Sequence, residues 1–266
     1  MKTKLCLWLI LAVTCAANTL ASEPVANAQV ATTAAAASNA QESPSDDPHA
    51  VATLESLPLR LVRDYRGLVR SVEITKREIS DADLVHLKGL PNLESLKIGE
   101  CPVTDAGLAH LAGLTQLRRL YLYDLAVTDA GLVHLGKLTN LEVLALENTK
   151  VTGPGLEHLE KLTRLRVLNL GRCQIGNEPL AHLEPLVSLE TLGLQKTKVT
   201  DAGLAHLAGL REVRVMNLNE CNVTDQGLEH LRPLEDLRIL WLKKCSVTRN
   251  GVKRLDKAIP GLAIFR

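Results

Sequence analysis

The sequence predicts an α/β solenoid, with a parallel β-sheet along one face and short helices along the other. Three observations lead there. The segment 103–126 (VTDAGLAHLAGLTQLRRLYLYDLA) returns as 127–150 (VTDAGLVHLGKLTNLEVLALENTK), and repeat starts fall at 79, 103, 127, 151, 175, 199, 223 and 247, always 24 residues apart. Apolar residues hold fixed offsets in every copy, as at Val103, Leu108, Leu111, Leu114, Leu117, Leu120 and Leu122. Aromatic residues make up only 2% of a chain that is 46% hydrophobic, so its core is aliphatic. A fixed period of this length means stacked units, none of which can bury its apolar face alone.

Each unit resolves into two elements. Leu108, Leu111 and Leu114 are spaced for one face of a short helix, while Leu120 and Leu122 alternate as in a strand. Thr104 is placed to cap the helix, with Asp105 in its positively polarised first turn. Seven units fill 79–246 without an insertion. Val69, Val72 and Ile74 form a weaker copy, so 51–78 reads as an N-terminal cap and degenerate first repeat, with Leu54–Tyr65 as a capping helix. Residues 247–266 read as a closing repeat with one residue added. There Ile259, Leu262 and Phe265 take the aliphatic places, and the lone Phe plugs the end of the core.

Ahead of the repeats, Lys2 and Lys4 precede an apolar run, Leu5–Ala17, that is too short to span a bilayer. The small residues around Ala21 complete the pattern of an export leader, 1–21, with Ala28 as the second cleavage choice. Lipid attachment at Cys15 is disfavoured by Thr14. Residues 22–50, rich in Ala, Ser and Pro, read as a disordered spacer. The expected location is therefore the periplasm, the cell surface or the medium.

The strand segment Leu93-x-x-Leu96-x-Ile98-x-x-Cys101 resembles the leucine-rich repeat. The frame recurs at Leu117-Leu120-Leu122, at Leu165-Leu168-Leu170-Cys173 and at Leu237-Leu240-Leu242-Cys245. Repeat length and the Gly-Leu-Ala-His-Leu-Ala run resemble the GALA and cysteine-containing branches of that family. The resemblance spans 79–266 and implies a horseshoe with its sheet on the concave face, used to bind other molecules.

Several chemical-looking features are positions of the repeat. Seven histidines (His86, His110, His134, His158, His182, His206 and His230) share one offset, as do Cys101, Cys173, Cys221 and Cys245. Neither series makes a site of converging unlike groups, so no metal and no cofactor is expected. Only Cys221 and Cys245 occupy adjacent coils at disulfide range. Gly131–Lys137 matches most of a phosphate loop but has Leu138 where a hydroxyl would hold magnesium. Asn222-Val-Thr224 is a glycosylation sequon.

With 31 basic and 30 acidic residues, the chain has no overall charge bias toward nucleic acid. No run is long enough for a membrane span. The function expected is a non-catalytic, monomeric binding scaffold, with a protein partner first and an extended glycan second. Two alternatives are a substrate-recruiting, F-box-like subunit of a ubiquitin ligase and an envelope-tethered spacer. The binding residues expected on the concave face are Tyr121, Tyr123 and Trp241, flanked by Arg119, Arg238, Lys243 and Lys244. Aromatic and arginine side chains dominate interface hot spots, and core packing does not call for aromatics at these outward offsets.

Overall fold

The computed structural model describes residues 44–75 and 78–266; the leader and nearly all of the spacer lie outside them. Ten strands form one open sheet in chain order. They are β1 (Arg60–Arg63), β2 (Val69–Ile74), β3 (Ser95–Gly99), β4 (Arg119–Tyr123), β5 (Val143–Ala145), β6 (Val167–Asn169), β7 (Thr191–Gly193), β8 (Val215–Asn217), β9 (Ile239–Trp241) and β10 (Ala263–Phe265). From β2 onward every pair is parallel and in strict repeat register, for example Leu96↔Leu120 and Leu144↔Leu168. This is the expected horseshoe of sheet and short helices.

The core is one continuous column of aliphatic side chains. Leu96, Leu120, Leu144, Leu168, Leu192, Met216 and Leu240 stack as one fully buried row, at 0% exposure. Each repeat helix is one or two turns of α or 3₁₀ geometry, such as Asp105–Leu108 (α2), Asp129–Leu132 (α3), Asp201–Leu204 (α4) and Asp225–His230 (α5). The 24-residue period leaves room for little more, and the longer helices are at the ends, the closing one being Arg249–Ala258 (α6).

Side chains join coil to coil outside the leucine column. Asp81 accepts the Thr104 amide (2.7 Å) and hydroxyl (2.6 Å) from the next coil. Asp105 does the same for Thr128, Asp201 for Thr224 and Asp225 for Thr248. The same Thr hydroxyls accept from their own helices, as from Ala106 and Ala130. The glycine two residues into the helices at 105, 129 and 225 makes room for this carboxylate, and Gly203 for the Asn177 side chain that replaces it. A Cβ on Gly131 would stand 2.4 Å from Asp105 Oδ1, and one on Gly227 2.2 Å from Asp201 Oδ1.

A second ladder closes the strand exits. Cys173, Cys221 and Cys245 donate their thiols to the carbonyls of Leu146, Leu194 and Leu218 in the preceding coil at 3.0–3.1 Å. Thr149 and Thr197 supply hydroxyls at the same position. Burial pushes these thiols up, which keeps them protonated and able to donate. Cys221 and Cys245 are free thiols. One residue per coil, from Glu100 to Lys244, then turns the chain with φ of 55–61°.

The ends depart from expectation. The capping helix is Pro48–Glu55 (α1), capped by Asp47, rather than Leu54–Tyr65. Leu57, Leu59 and Leu61 pack against the core, and Arg60–Arg63 forms a strand antiparallel to β2. Asp46 accepts the Val69 amide and Ala50 is buried, so the folded cap already includes the last residues assigned to the spacer. At the other end Phe265 is not the plug. It is 39% exposed, while Leu255, Ile259 and Leu262 close the core with Ile264. Ile259 and Leu262 do lag the register by one residue. The chain recovers it before Ile264, which pairs with Leu240 and puts Phe265 beside Trp241 on the outward row.

Candidate recognition face

Parallel pairing lines up Lys97, Tyr121, Ala145, Asn169, Gly193, Asn217, Trp241 and Phe265 as one outward row across β3–β10. This follows from alternation, since their strand neighbours Leu96, Leu120 and Leu144 face the core. The row has two aromatic ends about 24 Å apart, at roughly 4.8 Å for each of five strand steps.

At the first end Tyr121 keeps its expected row but is 8% exposed, too little for a free hot spot. Burial raises its phenol pKa, partly offset by Arg119. Tyr123 is half-buried across Gly99, where a Cβ would meet the ring at 2.3 Å. Burial and the carboxylates of Glu100 and Glu73 push the Tyr123 phenol up to about 12. Lys97 Nζ lies 5.7 Å from the same ring and bonds Glu73 at 2.6 Å. Arg119 is exposed beside this cluster.

At the second end Trp241 is half-buried and stacks on Phe265, centroids 6.1 Å apart and planes 25° apart. Lys243 and Lys244 are exposed, with Lys244 Nζ 3.2 Å from Glu220. Arg238 stands at the strand entrance rather than on the outward row. It occupies the position of Arg118, Arg166 and Arg214 and bonds Asp236 at 3.3 Å. Phe265 joins this row rather than the core, because the lag at Leu262 conceals its register in the sequence.

Between the ends the surface is small and polar. Ala145, Gly171 and Gly193 carry little side chain, and Glu147 gathers Asn169 Nδ2 (3.2 Å), Gln195 Nε2 (3.4 Å) and Arg172 (3.7 Å). Gln195 Oε1 is buried without a hydrogen-bond partner among the described residues. Asn217 turns its Oδ1 onto the Asn219 amide, and Asn219 its own onto the Lys243 amide. The face therefore offers stacking surfaces at both ends and hydrogen-bonding groups between them.

The other repeated groups lie elsewhere. His182 and His206 bond Glu160 (2.6 Å) and Glu184 (3.1 Å) of the preceding coil on the helical side. Among the described residues no cluster of His, Cys, Asp or Glu is arranged to hold a metal. None of their helices is long and apolar enough to cross a membrane.

The leucine-rich-repeat family profile matches residues 89–112 and 161–178. No curated protein matches the chain. Among solved structures it is similar to internalin C2 of Listeria monocytogenes (23% identity, TM-score 0.53, covering 68% of this chain and 81% of that one). It is similar to the HAESA receptor kinase ectodomain of Arabidopsis thaliana in complex with a peptide hormone (19%, TM-score 0.61, covering 84% and 38%). It is also similar to the Arabidopsis GASSHO1/SCHENGEN3 ectodomain in complex with CASPARIAN STRIP INTEGRITY FACTOR 2 (22%, TM-score 0.55, covering 77% and 25%). The chain thus spans most of the internalin but well under half of either receptor ectodomain. At these identities the likeness establishes the fold.

Proposed function

We propose that this leucine-rich-repeat protein is an exported, non-catalytic scaffold that seats a protein partner along its concave face. The observation that carries the reading is the distribution of aromatic residues. In an array nearly free of them, Tyr121, Tyr123 and Trp241 all stand at outward strand positions, where Phe265 joins them. Tyr123, with Lys97 at its ring and Arg119 at the start of the same strand, forms one anchor; Trp241 and Phe265, with Lys243, Lys244 and Arg238 around them, form the other. Two anchors ~24 Å apart suit a protein surface or an extended chain rather than one small molecule. Both receptor ectodomains are solved in complexes with their ligands, which supports a binding role for such a scaffold. Export rests on the basic, apolar and small-residue order of 1–21.

The reading is tested by placing a photo-cross-linking residue at Asn219 on the concave face or at Lys137 on the helical face, in the exported compartment. The partner should be trapped from Asn219 alone. Affinity for that partner should then fall more than tenfold in Tyr123→Ala and in Trp241→Ala, with thermal midpoints unchanged. Equal losses from Lys137→Ala, Lys161→Ala and Arg232→Ala would put the site on the helical face. Mature protein should begin near Ser22; folded cytosolic protein with an intact Met1 would contradict export.

A further inference from the structure

The last thirty residues, 237–266, hold eight Lys or Arg and one Asp, a net charge of +7 in a chain whose total is +1. Elsewhere the repeats tend to match cations to carboxylates across coils, as in the strand-entrance row Arg70–Glu94, Arg118–Glu142 and Arg166–Glu190. In α6 that matching stops. Arg254 reaches Glu229 and Asp225, but Arg249, Lys253 and Lys257 are exposed and make no ion pair among the described residues.

These three cations form a stripe. They follow one another at four-residue spacing, about 6 Å along the helix. Each precedes a buried position, Gly251, Leu255 or Ile259, by two residues, roughly 200° around the axis. They therefore point away from the core. Helix stability accounts only for Lys257, a cation in the last turn, and not for the other two. Like charges four residues apart repel, and Arg249 sits in the helix's first turn, where the dipole favours an acid. Asp81, Asp105, Asp129, Asp201 and Asp225 hold that position in other coils.

We propose that the outward face of α6 is a docking surface for an anionic phospholipid membrane, held by Arg249, Lys253 and Lys257. The shape selects this occupant. The three cations are exposed along one line of a single straight element, at steps of about 6 Å, so a flat lattice of headgroup phosphates meets all three together. The helix keeps Leu255 buried and exposes no large apolar side chain, so attachment is electrostatic, shallow and reversible. It also leaves the concave face, on the opposite side of the coil, open to a partner. The proposal does not depend on what binds there.

The test is co-sedimentation of the full chain with phosphatidylcholine vesicles, with and without phosphatidylglycerol. Because the leader carries Lys2 and Lys4 and itself favours anionic headgroups, the readout is the change in the anionic-to-neutral ratio between variants that share that leader. Each cation near an anionic leaflet contributes roughly fivefold in partitioning. Arg249→Gln/Lys253→Gln/Lys257→Gln should therefore lower that ratio on the order of a hundredfold at unchanged thermal midpoint. Lys137→Gln/Lys161→Gln/Arg211→Gln, an equal charge change elsewhere, should leave it intact. A ratio near one for the unaltered chain, or one equally reduced by the control triple, would overturn the proposal. So would full competition by inorganic phosphate or by a soluble sulfated polysaccharide at equal anion concentration, which would point to a free ion or a polymer instead.

Discussion

Two junctions in the same solenoid differ in what holds them. Between the coil at 127–150 and the next, Asp129 accepts the Thr152 amide and hydroxyl and the amides of Gly153 and Gly155 at 3.0 and 3.1 Å. One junction further, between 151–174 and 175–198, that ladder is missing. Gly153 stands in the acceptor's place, Gly176 in the donor's, and Pro179 where other coils have their close-packed glycine. The three changes fit one another. Gly153 adopts φ 136°, and a Cβ on it would lie 2.3 Å from the Pro179 ring. The leucine column runs through both junctions with no change in burial. The comparison thus separates two contributions that an ideal repeat would confound: apolar stacking, which is uniform, and side-chain hydrogen bonding, which is interrupted once. The seam lies between the Tyr123 and Trp241 ends of the candidate face.

The largest effect is expected where the ladder is densest. Asp129→Ala leaves the amides of Thr152, Gly153 and Gly155 without their acceptor and should cost about 2–4 kcal/mol, measured by denaturant unfolding. Next is Gly227→Ala, whose methyl must displace the Asp201 carboxylate; about 2 kcal/mol is expected. The equivalent close-packed position at the seam already holds Pro179, so Pro179→Ala should cost under about 1 kcal/mol. Rebuilding the missing rung tests the same logic in reverse. Gly153→Asp alone should destabilise by collision with Pro179, whereas Gly153→Asp/Gly176→Thr/Pro179→Gly should stabilise by about 1 kcal/mol. A triple variant that merely sums the single effects would mean the positions are not coupled.

Acid should distinguish the junctions too. Burial pulls the Asp129 carboxyl up, but the hydrogen bonds from Thr152, Gly153 and Gly155 outweigh it and hold the pKa below the usual range. Hydrogen bonds from Thr248 lower that of Asp225. Both groups bind protons more weakly folded than unfolded. The stability they add is complete above about pH 4 and is lost as pH falls through the lowered folded pKa. Asp129→Asn should flatten the stability–pH slope below that point, while the Gly153–Gly176 junction contributes nothing to it. The smallest effect is expected at the end of the series. Arg249→Asp restores an acid to the first turn of α6 and should add about 0.3–1 kcal/mol, read as a higher thermal midpoint.

Much of the fold was legible because the period is exact in sequence and its apolar rows are local. Strand starts from Ser95 to Ala263 keep the 24-residue step that the repeat showed. What escaped depends on contacts between coils. Asp81 and Thr104 look like parts of two separate caps until stacking puts them together. The strand at Arg60–Arg63 was hidden because its apolar residues pack from an antiparallel edge that no repeat copy resembles. Asp47-Pro48, by contrast, is a helix start that could have been read. The candidate face was legible as a row, because alternation fixes which residues point outward. Exposure was not, as Tyr121 shows: a row position says nothing of how far its neighbours cover it.

The most direct test of this account is native-state hydrogen exchange resolved to single junctions, since the leucine core is shared and only the ladder differs. The amides of 176–178 and 180 at the seam should exchange measurably faster than their counterparts at 128–130 and 132 and at 224–226 and 228, and Asp129→Ala should bring the protection of 152, 153, 155 and 156 down to the seam's level. Equal protection at all junctions, unchanged by Asp129→Ala, would show that the leucine column alone holds the coils and would contradict the account.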